Sequence, residues 1–180
     1  ILAGRFGAAF TFSPLNPEKI LAPGQLGWGV LRDSYRYDAI TPETKIYGVI
    51  ADPVGHSLSP VIHNAACAAA GIDAVYLPFL VPAGHLRDFL ASADRWPLAG
   101  LSVTIPHKES VLSHVSQRDP LVDEIGAANT LRFGADGSVC SFNTDATAAI
   151  EAIRATLEEQ ETGFGGRLGI KTALILGAGG

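Results

Sequence analysis

Residues 100–108 read Gly-Leu-Ser-Val-Thr-Ile-Pro-His-Lys, and this stretch decides the predicted fold. Leu101, Val103 and Ile105 alternate with polar residues, which predicts a strand with one buried face. Pro106 lacks a backbone N–H and favours extended geometry in the residue before it, so we expect the strand to end there. Because proline is also common at the first position of a helix, we expect a helix to begin at the same point.

Lys108 would then lie in the first turn of that helix, where the helix dipole disfavours a cation. A locally unfavourable residue of this kind often marks a functional site. Thr104 would lie at the C-terminal end of the strand, and ligands of open α/β sheets bind at this edge. The pattern therefore indicates Lys108 as a functional side chain that pairs with an anion or donates a proton.

The composition is that of a globular protein, with 47% hydrophobic and 17% charged residues among 180. A net charge of −5 is unfavourable for a nucleic-acid surface, and no apolar run is long enough to cross a bilayer. Cys67 and Cys140 have no metal-binding spacing and read as buried free thiols. The histidines show no metal-ligand spacing either. We therefore expect no metal, no nucleic acid and no membrane partner, and a reducing, cytoplasmic location.

Strand and helix signals alternate from Lys45 onward, which predicts an open, mostly parallel α/β sheet flanked by helices. The predicted elements are a strand at 46–50, a helix at 60–70 with Ser59 as N-cap, a strand at 74–81, a helix at 84–93, the central strand, a helix to His114, a short helix from Asp119, a hairpin of 128–133 and 139–142, and a helix at 146–160 capped by Asp145. Pro78 places its strand at an edge of the sheet or at a bulge.

The first forty residues predict less structure. A strand at Ala8–Phe12, a turn at 22–25 and a helix at Leu26–Tyr35 make one unit that is too small to bury its own apolar side. The polar segment 33–45 is typical of a linker. Position 1 is not Met, and the sequence stops on Gly-Gly after an apolar run, so we expect a piece of a longer polypeptide.

Polar side chains follow several of the predicted strands; they are Ser57, Ser59, Thr104, Lys108, Asn129, Asn143, Thr144 and Asp145. Hydroxyls and amides both donate and accept hydrogen bonds, so together they suit a polyol. An acid/base pair of Lys108 with Asp145 would contribute roughly 10²–10⁴-fold in rate. Simpler roles remain open: Ser59 and Asp145 as helix caps, and Ser57, Thr104 and Asn129 as residues that bond nearby backbone or form turns.

Four motifs occur in order: His56-Ser-Leu-Ser-Pro60, Ser102-Val-Thr-Ile-Pro-His-Lys108, Ile125-Gly-Ala-Ala-Asn-Thr130 and Asn143-Thr-Asp145. From Lys45 to Gly180 the chain resembles the shikimate dehydrogenases, specifically their N-terminal substrate-binding domain. The resemblance implies NADPH-dependent, reversible reduction of 3-dehydroshikimate to shikimate. It implies that Ser57, Ser59, Thr104, Lys108, Asn129 and Asp145 hold the substrate, and that Lys108 and Asp145 form the catalytic pair. Ser102 departs from the pattern, since many members carry Asn there.

Both ends carry further resemblances. Phe6-Gly7 and the Ala22–Gln25 loop resemble the last strand-helix unit of the type I 3-dehydroquinate dehydratase barrel. The order of segments is similar to that of fused bifunctional enzymes of the shikimate pathway. At the other end, Gly177, Ala178, Gly179 and Gly180 follow a predicted strand at Thr172–Leu176 and resemble the opening of a dinucleotide-binding turn, which implies NADP.

The expected domains are thus a barrel remnant at 1–40, a shikimate-binding catalytic domain at 41–160, and at 161–180 a connection with the first strand of a Rossmann domain. By itself this piece is expected to be inactive as a dehydrogenase. Three alternatives remain open: a quinate/shikimate dehydrogenase, a non-catalytic shikimate-binding module, and a purely structural domain whose polar loop residues are caps.

Overall fold

The computed structural model describes residues 1–20, 22 and 24–160, so the predicted strand at 172–176 and the glycine turn at 177–180 lie outside the described residues. The strands are β1 (Lys45–Ala51), β2 (Ala74–Leu80), β3 (Leu98–Val103), β4 (Gln117–Arg118), β5 (Thr130–Phe133) and β6 (Val139–Phe142). The helices are α1 (Trp28–Asp33), α2 (Ser59–Ala69), α3 (Leu86–Ala91), α4 (Pro120–Ile125) and α5 (Thr144–Gln160). None of the helices within this part of the chain is both long and apolar enough to span a membrane.

The six strands form one sheet in the order β2-β1-β3-β5-β6-β4. β1 runs parallel to both β2 and β3, and β4 runs parallel to β6. β5 is antiparallel to both of its neighbours, β3 and β6. The expectation of an open, mostly parallel α/β sheet is therefore confirmed, with β5 as the antiparallel insertion.

This strand order brings four chain segments to one edge of the sheet. β1 and β3 are parallel neighbours, so both end there. β5 is antiparallel to β3 with Thr130 opposite Ser102, so β5 begins at that edge. β6 then ends there, because Phe142 lies opposite Thr130. We call this side of the sheet the loop edge; its segments are 51–59, 104–109, 128–129 and 143–145.

The core lies on one face of the sheet, as the alternation of the strands requires. Ile50, Leu101 and Leu131 are each at most 2% exposed and point to this face from three strands. The other face carries the intervening residues, among them Tyr76 and Ser102. α2 packs on the β2 side of that face, and a groove of about 430 Å³ lies next to it.

Several local predictions are confirmed. Pro78 lies in β2, which is an edge strand of the sheet. Asp119 caps α4, because its Oδ1 accepts a hydrogen bond from Leu121 N at 3.0 Å. The hairpin of β5 and β6 turns through Gly137, whose φ of 79° is in the region that favours glycine.

Two predictions for the N-terminal forty-five residues are wrong. Ala8–Phe12 is not a strand, and the side chains of Phe10 and Phe12 are 69% and 78% exposed instead of packing in a sheet. The segment 33–45 is not a loose linker, because Tyr35 is 8% exposed and belongs to the core. Thr44, at its end, donates a side-chain hydrogen bond to Asp73 Oδ1 at 2.7 Å.

Pro106 does not begin a helix. Ile105 and Pro106 form a turn, in which His107 N donates to Thr104 O at 2.8 Å. The helical residues come later, as a short 3₁₀ segment at Ser110–His114. Lys108 therefore lies in a loop before this segment, and the dipole argument for its role does not apply.

Candidate active site at the loop edge

Lys108 and Asp145 meet at the loop edge although 37 residues separate them in the sequence. Lys108 Nζ lies 2.7 Å from Asp145 Oδ2, and the two side chains are 34% and 58% exposed. The loop after β3 supplies the lysine, and the first turn of α5 supplies the carboxylate. The Lys108 carbonyl also accepts a hydrogen bond from Ala128 N at 2.8 Å, which ties the lysine loop to the segment that enters β5.

Asn129 holds the second oxygen of the same carboxylate. Its Nδ2 donates to Asp145 Oδ1 at 2.7 Å and to Thr144 Oγ1 at 2.8 Å. Its Oδ1 accepts from Thr144 N at 3.0 Å and from Thr130 Oγ1 at 2.9 Å. Since a side-chain amide has two N–H donors and two acceptor lone pairs, Asn129 uses all of them within the protein. Asp145 is therefore fixed on both oxygens.

The electrostatics of this group favour the charged carboxylate. The hydrogen bond from Lys108 lowers the pKa of Asp145 below its usual value, partial burial opposes this, and the hydrogen bond from Asn129 lowers the pKa further. Asp145 is thus ionised at neutral pH and accepts a hydrogen bond from the amine beside it. Such a pair holds a proton donor at a defined atom, Lys108 Nζ.

Asp145 does not cap α5, contrary to the sequence prediction. The cap is Asn143, whose Oδ1 accepts hydrogen bonds from Asp145 N at 3.1 Å and Ala146 N at 3.2 Å. Asn143 Nδ2 also donates to Ala127 O at 2.9 Å, which joins the start of α5 to the segment before β5. Because Asn143 satisfies the helix N-terminus, the Asp145 carboxylate is left to bind Lys108.

Ser59 is not the N-cap of α2 either. The helix begins at Ser59, and Leu58 occupies the cap position without a side-chain cap hydrogen bond. Ser57 Oγ accepts the Ser59 backbone N–H at 3.3 Å. Thr104, on the neighbouring segment, donates its backbone N–H to Ile50 O at 3.2 Å and is half-buried. Ser57, Ser59 and Thr104 thus lie on adjacent segments of the loop edge, and their hydrogen bonds go to groups other than Lys108 and Asp145.

Tyr76 is a residue that the sequence analysis did not select. Its hydroxyl donates to Ser102 Oγ at 2.7 Å, and it also shares a side-chain hydrogen bond with Ser59. Burial raises the pKa of Tyr76, while the hydrogen bonds to Ser102 and Ser59 lower it. The period-two alternation of β2 was the available signal, because it puts Tyr76 on the face opposite to Val75 and to the core.

Within the residues that the structure describes, no three His, Cys, Asp or Glu side chains come together as metal ligands. The loop edge instead presents one amine, one carboxylate, an amide and several hydroxyls. Groups of this kind bind polyols and exchange protons with them.

The chain is similar to shikimate dehydrogenases in both sequence and structure. Residues 49–131 match the family model described as the shikimate dehydrogenase substrate binding domain. The matched range contains five of the six predicted substrate-binding residues and ends before Asp145. Across the whole chain, 40% of 186 aligned residues are identical to an Arabidopsis thaliana protein named bifunctional 3-dehydroquinate dehydratase/shikimate dehydrogenase, chloroplastic.

Two further similar proteins are named as shikimate dehydrogenases alone, without a dehydratase. Shikimate dehydrogenase (NADP(+)) from Methanocella arvoryzae is 47% identical over 135 residues, which cover 75% of this chain and 46% of that protein. The structure of shikimate 5-dehydrogenase from Listeria monocytogenes, in complex with shikimate and NAD, superposes with a TM-score of 0.61 at 35% identity over 65% of this chain and 40% of that one. The Arabidopsis alignment covers 100% of this chain and 30% of that protein. The chain therefore spans less than half the length of these relatives.

Proposed function

We infer, from the shikimate dehydrogenase substrate-binding domain that this chain carries, that the loop edge binds shikimate and 3-dehydroshikimate for their NADP-dependent interconversion. The observation that carries this proposal is the contact of 2.7 Å between Lys108 Nζ and Asp145 Oδ2. An amine and a carboxylate thus meet at the edge of the sheet where ligands of α/β proteins bind, which supports the assignment of a proton donor and its counter-ion.

In the proposed reaction, Lys108 donates a proton to the ketone oxygen of 3-dehydroshikimate as that oxygen becomes an alkoxide. NADPH, when bound, supplies the hydride. Asp145 holds and orients the lysine amine, and in the reverse direction Lys108 takes the proton back from the hydroxyl. General acid catalysis by a positioned side chain contributes roughly 10²–10⁴-fold.

Substrate binding is assigned to the polar side chains around this pair. Ser57, Ser59 and Thr104 would contact the hydroxyls and the carboxylate of the substrate, since they lie on adjacent segments of the loop edge. Asn129 would contact a hydroxyl as well. Because its amide is saturated in this structure, that contact requires one of its present partners to be exchanged.

NADP is assigned to Gly177, Ala178, Gly179 and Gly180, which lie outside the described residues. Glycines at such a turn let the backbone approach a pyrophosphate. The name of the Methanocella relative specifies NADP(+), which supports this choice of cofactor.

We also propose that the parent polypeptide is bifunctional, with residues 1–40 ending a 3-dehydroquinate dehydratase barrel, 41–160 binding shikimate and 161–180 entering the cofactor domain. The bifunctional Arabidopsis relative aligns with the whole chain. Phe10, Phe12 and Leu15 are 69%, 78% and 87% exposed, as expected for side chains that pack on an upstream domain. A cytoplasmic location stays part of the proposal, although the Arabidopsis relative is chloroplastic by name.

The test of the catalytic role is Lys108→Ala in the complete enzyme. Turnover of 3-dehydroshikimate with NADPH should fall by about 10²-fold or more, while KM changes less, because the proton donor is lost. Lys45→Ala is the matched control, since Lys45 is an exposed lysine at the start of β1. Near-normal turnover in the Lys108 variant would refute the assigned role.

The test of the substrate class is calorimetric titration of the chain with shikimate and, separately, with quinate. Heat of binding with shikimate is expected, and its absence would leave only a structural role for the polar side chains of the loop edge. Comparable binding of both ligands would favour a quinate/shikimate dehydrogenase.

A further inference from the structure

His107 is a buried histidine next to the proposed proton donor, and the proposed reaction does not use it. Only 1% of His107 is exposed. Its Nε2 lies 2.6 Å from the backbone oxygen of Val81, the residue that follows β2. A carbonyl oxygen only accepts, so Nε2 carries a proton and donates a hydrogen bond to Val81 O.

Val81 is itself fixed. It is 2% exposed, and its backbone N–H donates to Ala51 O at 3.1 Å, at the end of β1. The His107 ring thus connects the loop after β3 to the ends of both β1 and β2. This hydrogen bond ties the loop to the sheet, whereas a hydrogen bond between two residues of the loop would not.

The loop that carries Lys108 has little regular structure of its own. β3 ends at Val103, and the 3₁₀ segment starts at Ser110. Three backbone bonds also hold this loop: Thr104 N donates to Ile50 O at 3.2 Å, Asp52 N donates to Ile105 O at 3.1 Å, and Val111 N donates to His107 O at 3.0 Å. The side chain of His107 is the buried group in the middle of this segment, one residue before Lys108.

We propose that His107 is a positioning residue that aims Lys108 at Asp145 through its hydrogen bond to Val81 O. The proposal rests on the proposed function for the importance of Lys108, but the geometry is tested without substrate. The ring fixes the backbone at position 107 from the core side, and Ala128 N holds the Lys108 carbonyl from the β5 side. With both anchors in place, the lysine side chain is directed along the loop edge to the carboxylate.

The experiment measures the acylation rate of each lysine in the chain by acetic anhydride pulses and mass spectrometry. In the wild type, Lys108 should react more slowly than the exposed Lys19 and Lys45, because its amine is paired with Asp145. In His107→Phe the ring volume remains and the donor is lost, so Lys108 should react roughly three- to fivefold faster, the scale of a part-exposed ion pair. Lys19 and Lys45 should not change.

Rescue by a conservative variant separates positioning from general packing. The amide nitrogen of Gln takes nearly the place of the ring Nε2, so in His107→Gln the rate at Lys108 should stay within about twofold of wild type. His107→Asn has an amide that is too short to reach Val81 O, and it replaces His107→Phe if that variant does not fold by circular dichroism. An unchanged rate at Lys108 in a folded Phe or Asn variant overturns the proposal. An equal rise in the Gln variant also overturns it, as does a wild-type Lys108 that reacts as fast as Lys19.

Shikimate titration of the same proteins keeps this inference separate from the proposed function. If the wild type binds no shikimate while the labelling pattern holds, the proposed function fails and the positioning role of His107 stands. If the wild type binds shikimate and the labelling pattern fails, the reverse follows.

Discussion

Asn64→Ala tests the contact that fixes α2 against the sheet. Asn64 is 4% exposed, and its side chain bonds the backbone of Tyr76 twice. Its Nδ2 donates to Tyr76 O at 2.9 Å, and its Oδ1 accepts from Tyr76 N at 2.8 Å. β2 is an edge strand, so these Tyr76 groups have no strand partner on that side, and the amide takes the place of a neighbouring strand.

The cost follows from counting the two bonds. Each hydrogen bond contributes about 1 kcal/mol net, and a buried group left without a partner costs about 1–3 kcal/mol. Alanine removes both bonds and leaves an N–H and a C=O of the 5%-exposed Tyr76 without that partner. We expect the free energy of unfolding to fall by about 3 kcal/mol. Since α2 begins at Ser59, shikimate affinity should fall as well.

The assay is urea unfolding of the chain, followed by circular dichroism. With a slope of about 2 kcal/mol per molar urea, a loss of about 3 kcal/mol lowers the midpoint by about 1.5 M. Ile62→Ala on the same helix is the control, because Ile62 is 61% exposed and its truncation should shift stability by less than about 0.5 kcal/mol. A midpoint shift in Asn64→Ala no larger than that of the control would show that the Asn64 amide does not contribute this free energy of unfolding.

Two other predictions concern acid stability and close packing. The pKa of Asp145 is lowered in the folded state, so its contribution is present above its unfolded pKa of about 3.9 and is lost as pH falls through the folded value. Between pH 5 and pH 2.5, the free energy of unfolding should therefore fall less in Asp145→Asn than in the wild type. The difference should be less than about 1 kcal/mol, because the Asp145 side chain is 58% exposed. An equal change of the urea midpoint in both proteins over this pH range would contradict this. Gly48→Ala should destabilise by at least about 2 kcal/mol, since a Cβ there would lie 2.5 Å from Leu77 O and against the Phe79 ring. In thermal melts that corresponds to about 4–8 °C; Gly55→Ala, where a Cβ meets nothing within 4 Å, should change little, and equal melting temperatures for the two variants would refute the packing argument.

Local signals predicted most of the elements correctly, because each depends on a few neighbouring residues. Pro78 cannot donate to a second strand, so it indicated an edge. Asp119 before Pro120 indicated a helix start, and Asp-Gly at 136–137 indicated a tight hairpin. All three hold in the structure.

The helix caps show where local signals run out. Asn143 and Asp145 are both good capping residues two positions apart, and the same holds for Ser57 and Ser59. In the first pair, Asn143 is the residue that caps α5. Its side-chain amide also donates a hydrogen bond to Ala127 O, on another segment of the chain. Rules that use only neighbouring residues cannot predict that contact, because Ala127 is 16 residues away from Asn143.

From Lys45 onward, the order of the longer strands, the buried face of the central strand and the list of polar side chains that follow the strands came from the amino-acid sequence alone, whereas the two-residue β4 was not predicted. Only the tertiary structure showed three contacts: Lys108 with Asp145, Asn129 with the same carboxylate, and the His107 ring with the backbone oxygen of Val81. The physical reason is that periodicity specifies which way a side chain points from its own strand, whereas contact across 37 residues depends on which strands are neighbours. Here the antiparallel β5, inserted between β3 and β6, brings the two charges to one edge.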